Sequence, residues 1–117
     1  MTSTITIPVT YPSLNKVLRL PWWERRKIKN DFQFVFAAAI RRTKPRPYFE
    51  GPVRITIELT FTSNRRRDPD NYSPKWLLDS LVQAKVIQDD STEFMTESPK
   101  VTIKQGKVEG TVVRIED

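Results

Sequence analysis

The sequence contains neither cysteine nor histidine. Without cysteine there is no disulfide, no thiolate nucleophile and no cysteine-type structural zinc site. Without histidine the usual imidazole general base and imidazole metal ligand are also excluded. Any hydrolytic chemistry in this chain would therefore depend on carboxylates, lysine, hydroxyl groups or a metal-bound water.

Long apolar runs are missing as well. No stretch approaches the roughly 18 apolar residues of a membrane span, and the first residues lack the basic-then-apolar order of a signal peptide. We therefore expect an intracellular, cytoplasmic protein with no membrane partner. The length of 117 residues suits one domain, residues 1–117, with a single core.

The basic side chains outnumber the acidic ones by 20 to 14, but the excess lies in one half of the chain. Residues 1–67 hold fourteen Lys and Arg against four Asp and Glu, whereas residues 68–117 hold six against ten. A basic half followed by an acidic cluster is typical of a polyanion-binding surface beside a cation site. The alternative is an ordinary basic domain with solvated charged faces.

The spacing of apolar residues predicts the element order β-α-β-α-β-β, an α+β two-layer sandwich with a mixed sheet and two main helices. Alternation at residues 4–9 predicts the first strand, and residues 11–16 are typical of a turn. A long helix opens at Pro21–Lys27, and its apolar stripe runs from Ile28 to Ile40. Basic residues beside that stripe form either a solvated face or a phosphate contact.

The second half of the chain continues this pattern after a proline-rich loop at residues 44–52. Every odd position of 53–61 is apolar, which predicts a strand. The Ser73–Pro74 pair is typical of a helix start, and this helix is predicted to end over residues 85–88. Two short alternating runs, at 101–104 and 111–115, predict a closing hairpin.

The features that suggest chemistry lie in residues 65–90. Three arginines run straight into Asp68-Pro69-Asp70-Asn71, and Asp89-Asp90 follow one helix later. Pro69 favours extended backbone at Asp68, so the Asp68 and Asp70 side chains should project the same way. Oxygen ligands from two loop ends suit Mg²⁺ or Mn²⁺, and adjacent arginines suit a phosphate backbone. Taken singly, each aspartate is also typical of a turn.

Lys75 lies in the first turn of the second helix, where the helix dipole disfavours a cation by roughly a few tenths of a kcal/mol. Local violations of this kind mark functional sites, so Lys75 is a candidate phosphate contact or transition-state stabiliser. The alternative is an exposed lysine that extends past Trp76. Asp79, four residues later, is either the ion-pair partner of Lys75 or a group behind the site.

These motifs together resemble the RusA family of Holliday junction resolvases. The matching pattern is Pro12-x-x-Asn15-Lys16 near the N-terminus, then the arginine run, Asp68-x-Asp70-Asn71, Lys75, Asp79-x-Leu81 and Asp89-Asp90. The resemblance implies a bacterial or phage-encoded Mg²⁺-dependent endonuclease of DNA recombination and repair, with Mn²⁺ as a substitute. It also implies a homodimer that nicks four-way or branched DNA symmetrically, and no small-molecule substrate.

The same resemblance implies roles for particular residues. Asp68, Asp70 and Asp90 would be the essential metal-site carboxylates and Lys75 the assisting lysine. Apart from the resemblance, the absence of histidine makes Asp89 a further candidate ligand or proton acceptor. The candidate DNA-binding residues are Asn15, Lys16, Arg25, Arg26, Lys29, Arg65, Arg66 and Arg67.

Two other classes of function remain open at this point. One is a DNA-binding module without catalysis, in which basic residues and tryptophans hold single strands by stacking. The other is a structural or interaction protein whose aspartates form turns. The aromatic residues are alternatively core or dimer-interface residues, since aromatic side chains are enriched at interfaces. The aromatic residues in question are Trp22, Trp23, Tyr48, Phe49 and Trp76.

Overall fold

The computed structural model describes residues 1–91 and 93–117. Its elements in chain order are β1 (Thr2–Ile7), α1 (Leu14–Leu18), α2 (Trp22–Arg42), β2 (Arg54–Phe61), a 3₁₀ helix (Pro69–Asn71), α3 (Lys75–Gln83), β3 (Lys100–Gln105) and β4 (Gly110–Glu116). The predicted α+β class, the mixed sheet and the order of the main elements are confirmed.

The four strands form one sheet in the order β1-β4-β2-β3. β4 is antiparallel to both β1 and β2, while β3 is parallel to β2 at the edge. The predicted hairpin of the last two strands is therefore wrong, because β3 and β4 are not neighbours. Instead, β4 pairs with β1 on one side and β2 on the other, and β3 pairs with β2. The β3 side chains are at most half-buried, which suits an edge strand.

The core lies between the sheet and α2. The apolar stripe predicted for this helix is confirmed at Phe32, Phe36, Ala39 and Ile40, all of which are buried. On the sheet side, the odd residues of β2 face the same core, as their alternation predicts. In the described ranges, no helix is both long enough and apolar enough to cross a membrane.

Residues 14–18 form a short helix and not the predicted turn. Ser13 acts as its N-cap, and the Ser13 hydroxyl oxygen accepts a hydrogen bond of 3.3 Å from the Lys16 backbone N–H. Such a side-chain acceptor satisfies one of the N–H groups that a helix start leaves without a partner. The extra turn of helix places side chains three and four positions apart on one surface.

Helix α3 is shorter than predicted at both ends. Pro74 is its N-cap residue. Ser73 lies before the helix, and its hydroxyl accepts a hydrogen bond from the N–H of Lys75, the first helical residue. At the other end the chain leaves the helix at Lys85, which has a φ of 60°. The Val86 N–H then donates to the Leu81 carbonyl, which closes the helix end. Residues 85–88 therefore lie outside the helix.

Candidate active site

A cleft of about 880 Å³ brings the two basic segments of the chain together. One wall comes from residues around α1 and the other from residues 65–72, which follow β2. The Asn15 backbone N–H donates a hydrogen bond of 3.1 Å to the Asn71 side-chain oxygen and so ties the two walls. The charged and amide side chains of the cleft are Asn15, Lys16, Arg19, Arg65, Arg66, Arg67, Asp68, Asn71 and Glu109.

The candidate DNA-binding residues divide into two groups. Asn15, Lys16 and the three arginines of residues 65–67 line the cleft. Arg25, Arg26 and Lys29 of α2 do not line it. Lys29 instead points at Asp79 of α3, with 3.9 Å between Lys29 Nζ and Asp79 Oδ2.

The three arginines of residues 65–67 differ in their contacts. The Arg67 guanidinium lies 3.9 Å from the centre of the Phe61 ring. Its Nη1 donates to the carbonyls of Ser63 and Arg65, at 3.4 and 3.1 Å, and its Nη2 donates to the Ser63 hydroxyl at 2.9 Å. Arg67 thus holds its own loop in place. Arg65 and Arg66 are exposed and direct their charge to the cleft.

The first two candidate carboxylates lie on a tight turn. Asp68 Oδ1 accepts a hydrogen bond of 3.0 Å from the Asp70 N–H and caps the 3₁₀ helix of residues 69–71. Asp68 has the extended backbone that the sequence predicts, with φ −95° and ψ 121°, but the extended chain does not continue, because Pro69–Asn71 are helical. Pro69 suits the first position of such a helix because its φ is already helical and it has no N–H to satisfy. Both carboxylates are exposed.

Lys75 forms the centre of a charged network that joins α2, α3 and the turn at residue 90. Its Nζ lies 3.1 Å from Asp79 Oδ1 and 3.3 Å from Asp90 Oδ2. These hydrogen bonds, first to Asp79 and then to Asp90, raise the pKa of Lys75. Since Lys29 approaches Asp79 from α2, Asp79 lies between two ammonium groups.

This network fits a cation in one respect. Carboxylate oxygens are ligands that Mg²⁺ uses. The Asp79 and Asp90 carboxylates both face the Lys75 ammonium, so a positive charge is already stabilised between them. Within residues 1–91 and 93–117, no three acidic side chains lie close enough together to hold a metal ion. The structure thus brings Asp90 together with Asp79, while Asp68 and Asp70 as its fellow ligands stay a prediction.

Asp89 has a structural role in the same turn. Its Oδ1 accepts a hydrogen bond of 2.8 Å from the Asp90 N–H. This contact is the turn chemistry that the sequence suggested as the alternative for this pair. It also orients Asp90, whose side chain reaches Lys75.

Some residues of the site were missed by sequence reasoning. Arg19 lines the cleft beside Asn15 and Lys16, at spacings of four and three that would have grouped them if α1 had been recognised as a helix. Tyr11 carries no local signal of this kind. Its hydroxyl donates to the Tyr72 carbonyl at 3.4 Å, and burial, followed by the charge of Tyr72, raises the pKa of Tyr11. Tyr11 therefore stays protonated and fixed in the cleft wall.

One protein family matches a part of the chain that includes both the cleft and the charged network. The family model of endodeoxyribonuclease RusA matches residues 12–116, nearly the whole chain. A search among curated proteins finds no match.

Proposed function

Because the chain belongs to the RusA family of endodeoxyribonucleases, we propose that it resolves four-way DNA junctions by hydrolysing phosphodiester bonds near the branch. The observation that carries this proposal is the cleft in which Arg65 and Arg66 lead directly to Asp68. A cleft lined by basic side chains attracts a phosphate backbone. Asp68 in the same lining would repel phosphates, so it suits a role in the reaction and not in backbone binding. The substrate is four-way or other branched DNA.

The basic residues of the cleft hold the DNA backbone. Arg65, Arg66, Lys16 and Arg19 come from two segments, so they contact a strand from both sides. Contacts of this kind fix the position of the duplex and do not read its sequence. Recognition of the junction must then come from its branched shape.

The acidic residues provide the chemistry. Asp68, Asp70 and Asp90 would hold Mg²⁺, or Mn²⁺ in its place, with Asp79 and Asp89 beside them. When bound, the ion supplies Lewis-acid activation of water and of the scissile phosphate. Lys75 stabilises the negative charge that develops on the phosphoryl oxygens, since its ammonium is exposed and reaches Asp90. With no histidine in the chain, a carboxylate such as Asp89 accepts the proton of the attacking water.

The test is incubation with labelled four-way junction, linear duplex and single strand, each with Mg²⁺, Mn²⁺ or EDTA. We expect that only the four-way junction is cleaved, and only when Mg²⁺ or Mn²⁺ is present. The affinity for the junction should be the same in EDTA as with a divalent ion. Binding without cleavage under every condition would support a non-catalytic binding module. Equal cleavage of all three substrates would contradict junction selectivity.

Arg66→Ala should flatten the slope of log affinity against log salt concentration by about one unit, because one phosphate contact is lost. Arg67→Ala should leave this slope nearly unchanged, because its guanidinium is engaged with Phe61 and Ser63. The measurement is junction binding in EDTA at a series of salt concentrations. Equal slopes for Arg66→Ala and the unmodified protein would place Arg66 off the DNA path.

A homodimer is the further part of the proposal, since paired cuts related by two-fold symmetry need two identical sites. The outer surface of α2 offers apolar area for it, with Trp22, Trp23 and Phe34 exposed by 65%, 59% and 73%. Phe49, which the sequence suggested for this role, is only 1% exposed, so it lies in the core and does not contribute to this surface.

Light scattering at micromolar concentration should give the mass of a dimer, and Phe34→Glu should shift it towards the monomer. Val108→Glu is the matched control, since it places the same charge at an exposed apolar residue outside α2. A cruciform plasmid should yield linear product with the dimer. A protein that is monomeric and accumulates only nicked circles would contradict paired cutting.

A further inference from the structure

We infer that an apolar pocket beside the cleft receives one unstacked nucleobase of branched DNA. The pocket has a volume of about 240 Å³ and lies between α1 and the start of α3. Its walls include Tyr11, Leu14, Val17, Lys75 and Trp76. The inference rests on the proposed function and adds to it the feature by which the branch is recognised.

The walls suit a flat aromatic ligand. Phe32 packs against two of the wall residues, with ring-centroid distances of 5.5 Å to Tyr11 and 6.3 Å to Trp76. Because Phe32 is buried in the core and Tyr11 is only 3% exposed, Tyr11 forms a rigid floor, and the half-buried Trp76 ring is the one on which a ligand can stack with little ordering. Aromatic side chains accept any base in this way, because every base has a π-face. The volume is below the roughly 300–1,000 Å³ of pockets for drug-sized ligands, which favours a single base.

The position of the pocket supplies the second argument. Tyr11 and Pro12 line both the pocket and the basic cleft, so a strand whose phosphates lie in the cleft passes the pocket mouth. On the other side, Lys75 belongs to the pocket wall and also contacts Asp90. A base in the pocket therefore places its adjacent phosphate beside Lys75 and Asp90.

This arrangement selects branched DNA for an energetic reason. Extrusion of a base costs less where stacking is already interrupted, as at a branch point, than inside a continuously stacked linear duplex. The pocket thus rewards a branch and aligns one phosphate for cleavage in the same step. Phosphate contacts in the cleft alone would bind both kinds of DNA.

The first test uses the unmodified protein in EDTA, so that binding is measured without cleavage. A series of four-way junctions carries one abasic site at successive nucleotides around the branch, and a linear duplex carries the same series. When the abasic site lies at one particular position near the branch, we expect the affinity for the junction to fall about tenfold, as for the loss of one stacked base. The affinity for the duplex should not depend on where the abasic site lies. Equal affinity across the whole junction series would overturn the inference.

The second test fills the pocket. Val17→Phe adds bulk inside it, whereas Leu18→Phe adds bulk on the same helix at a residue that is 61% exposed and is not part of the pocket lining. Val17→Phe should bind the intact junction about tenfold more weakly and lose no further affinity at the abasic position. Leu18→Phe should behave as the unmodified protein. Melting curves test whether both variants are folded. If Val17→Phe does not fold, the abasic series with the unmodified protein still tests the inference.

Other outcomes separate the alternatives. If Val17→Phe keeps the discrimination against the abasic site, the base does not bind in this pocket. If Val17→Phe breaks the dimer in light scattering and loses intact and abasic DNA equally, the pocket holds a second copy of the chain, and the inference is overturned. If none of these proteins binds any junction, the proposed function itself fails. If the unmodified protein binds and cleaves the junction but its affinity is the same at every abasic position, only the base-binding inference fails.

Discussion

Asp70→Asn is expected to lower the rate of junction cleavage by about a thousand-fold or more while junction binding stays equal or becomes tighter. The change removes one proposed metal ligand, which contributes several kcal/mol to the transition state, and ~1.4 kcal/mol corresponds to a factor of ten. Binding does not suffer, because a negative charge near the phosphates is removed. The local fold should persist, since the Asp70 contact to Asp68 is made by its backbone N–H.

The measurement combines single-turnover cleavage with Mg²⁺ and junction binding in EDTA. Asp31→Asn is the control, because it removes the same charge from an exposed residue of α2. A folded Asp70→Asn protein that no longer binds the junction would assign Asp70 a structural role.

Lys75→Met is expected to separate catalysis from metal binding. Cleavage should fall by about a hundred- to a thousand-fold, as when one preorganised group that stabilises transition-state charge is removed. Affinity for Mn²⁺ should rise, because the ammonium that now lies 3.1 Å from Asp79 and 3.3 Å from Asp90 no longer competes for these carboxylates. Stability should change little, since exposed ion pairs contribute little to it.

Mn²⁺ titration without DNA and single-turnover cleavage would give the two quantities separately. Lys27→Met serves as the control, because Lys27 is an exposed lysine of α2 away from Asp79 and Asp90. An unchanged cleavage rate would make Lys75 a surface lysine, and an unchanged Mn²⁺ affinity would place the metal away from the Asp79–Asp90 pair.

The sequence by itself determined the kind of chemistry and most of the elements. The absence of cysteine and histidine leaves carboxylates and lysine as the reactive groups. The alternation in β2 and the apolar stripe of α2 are local patterns, and burial of one face is enough to produce each. The arginine run, the aspartates and Lys75 could therefore be singled out before their arrangement was known.

Only the tertiary structure decided which elements are neighbours. The alternation in β3 and β4 predicts strands but contains no information on their partners, and the pairing of β4 with β1 and β2 joins residues more than 40 positions apart in the chain. The same applies to α1, a helix of five residues that is too short to be stable alone and is tied to Asn71 through Asn15.

The site shows the same division between local and long-range information. Asp79 acquires its two ammonium partners because α2 packs against α3, which brings Lys29 to a residue 50 positions away in the sequence. The Arg67 guanidinium contacts Phe61 and Ser63, whereas its neighbours Arg65 and Arg66 stay exposed. Residue types and short spacings are properties of the chain, but which charges face each other depends on distances that only packing sets.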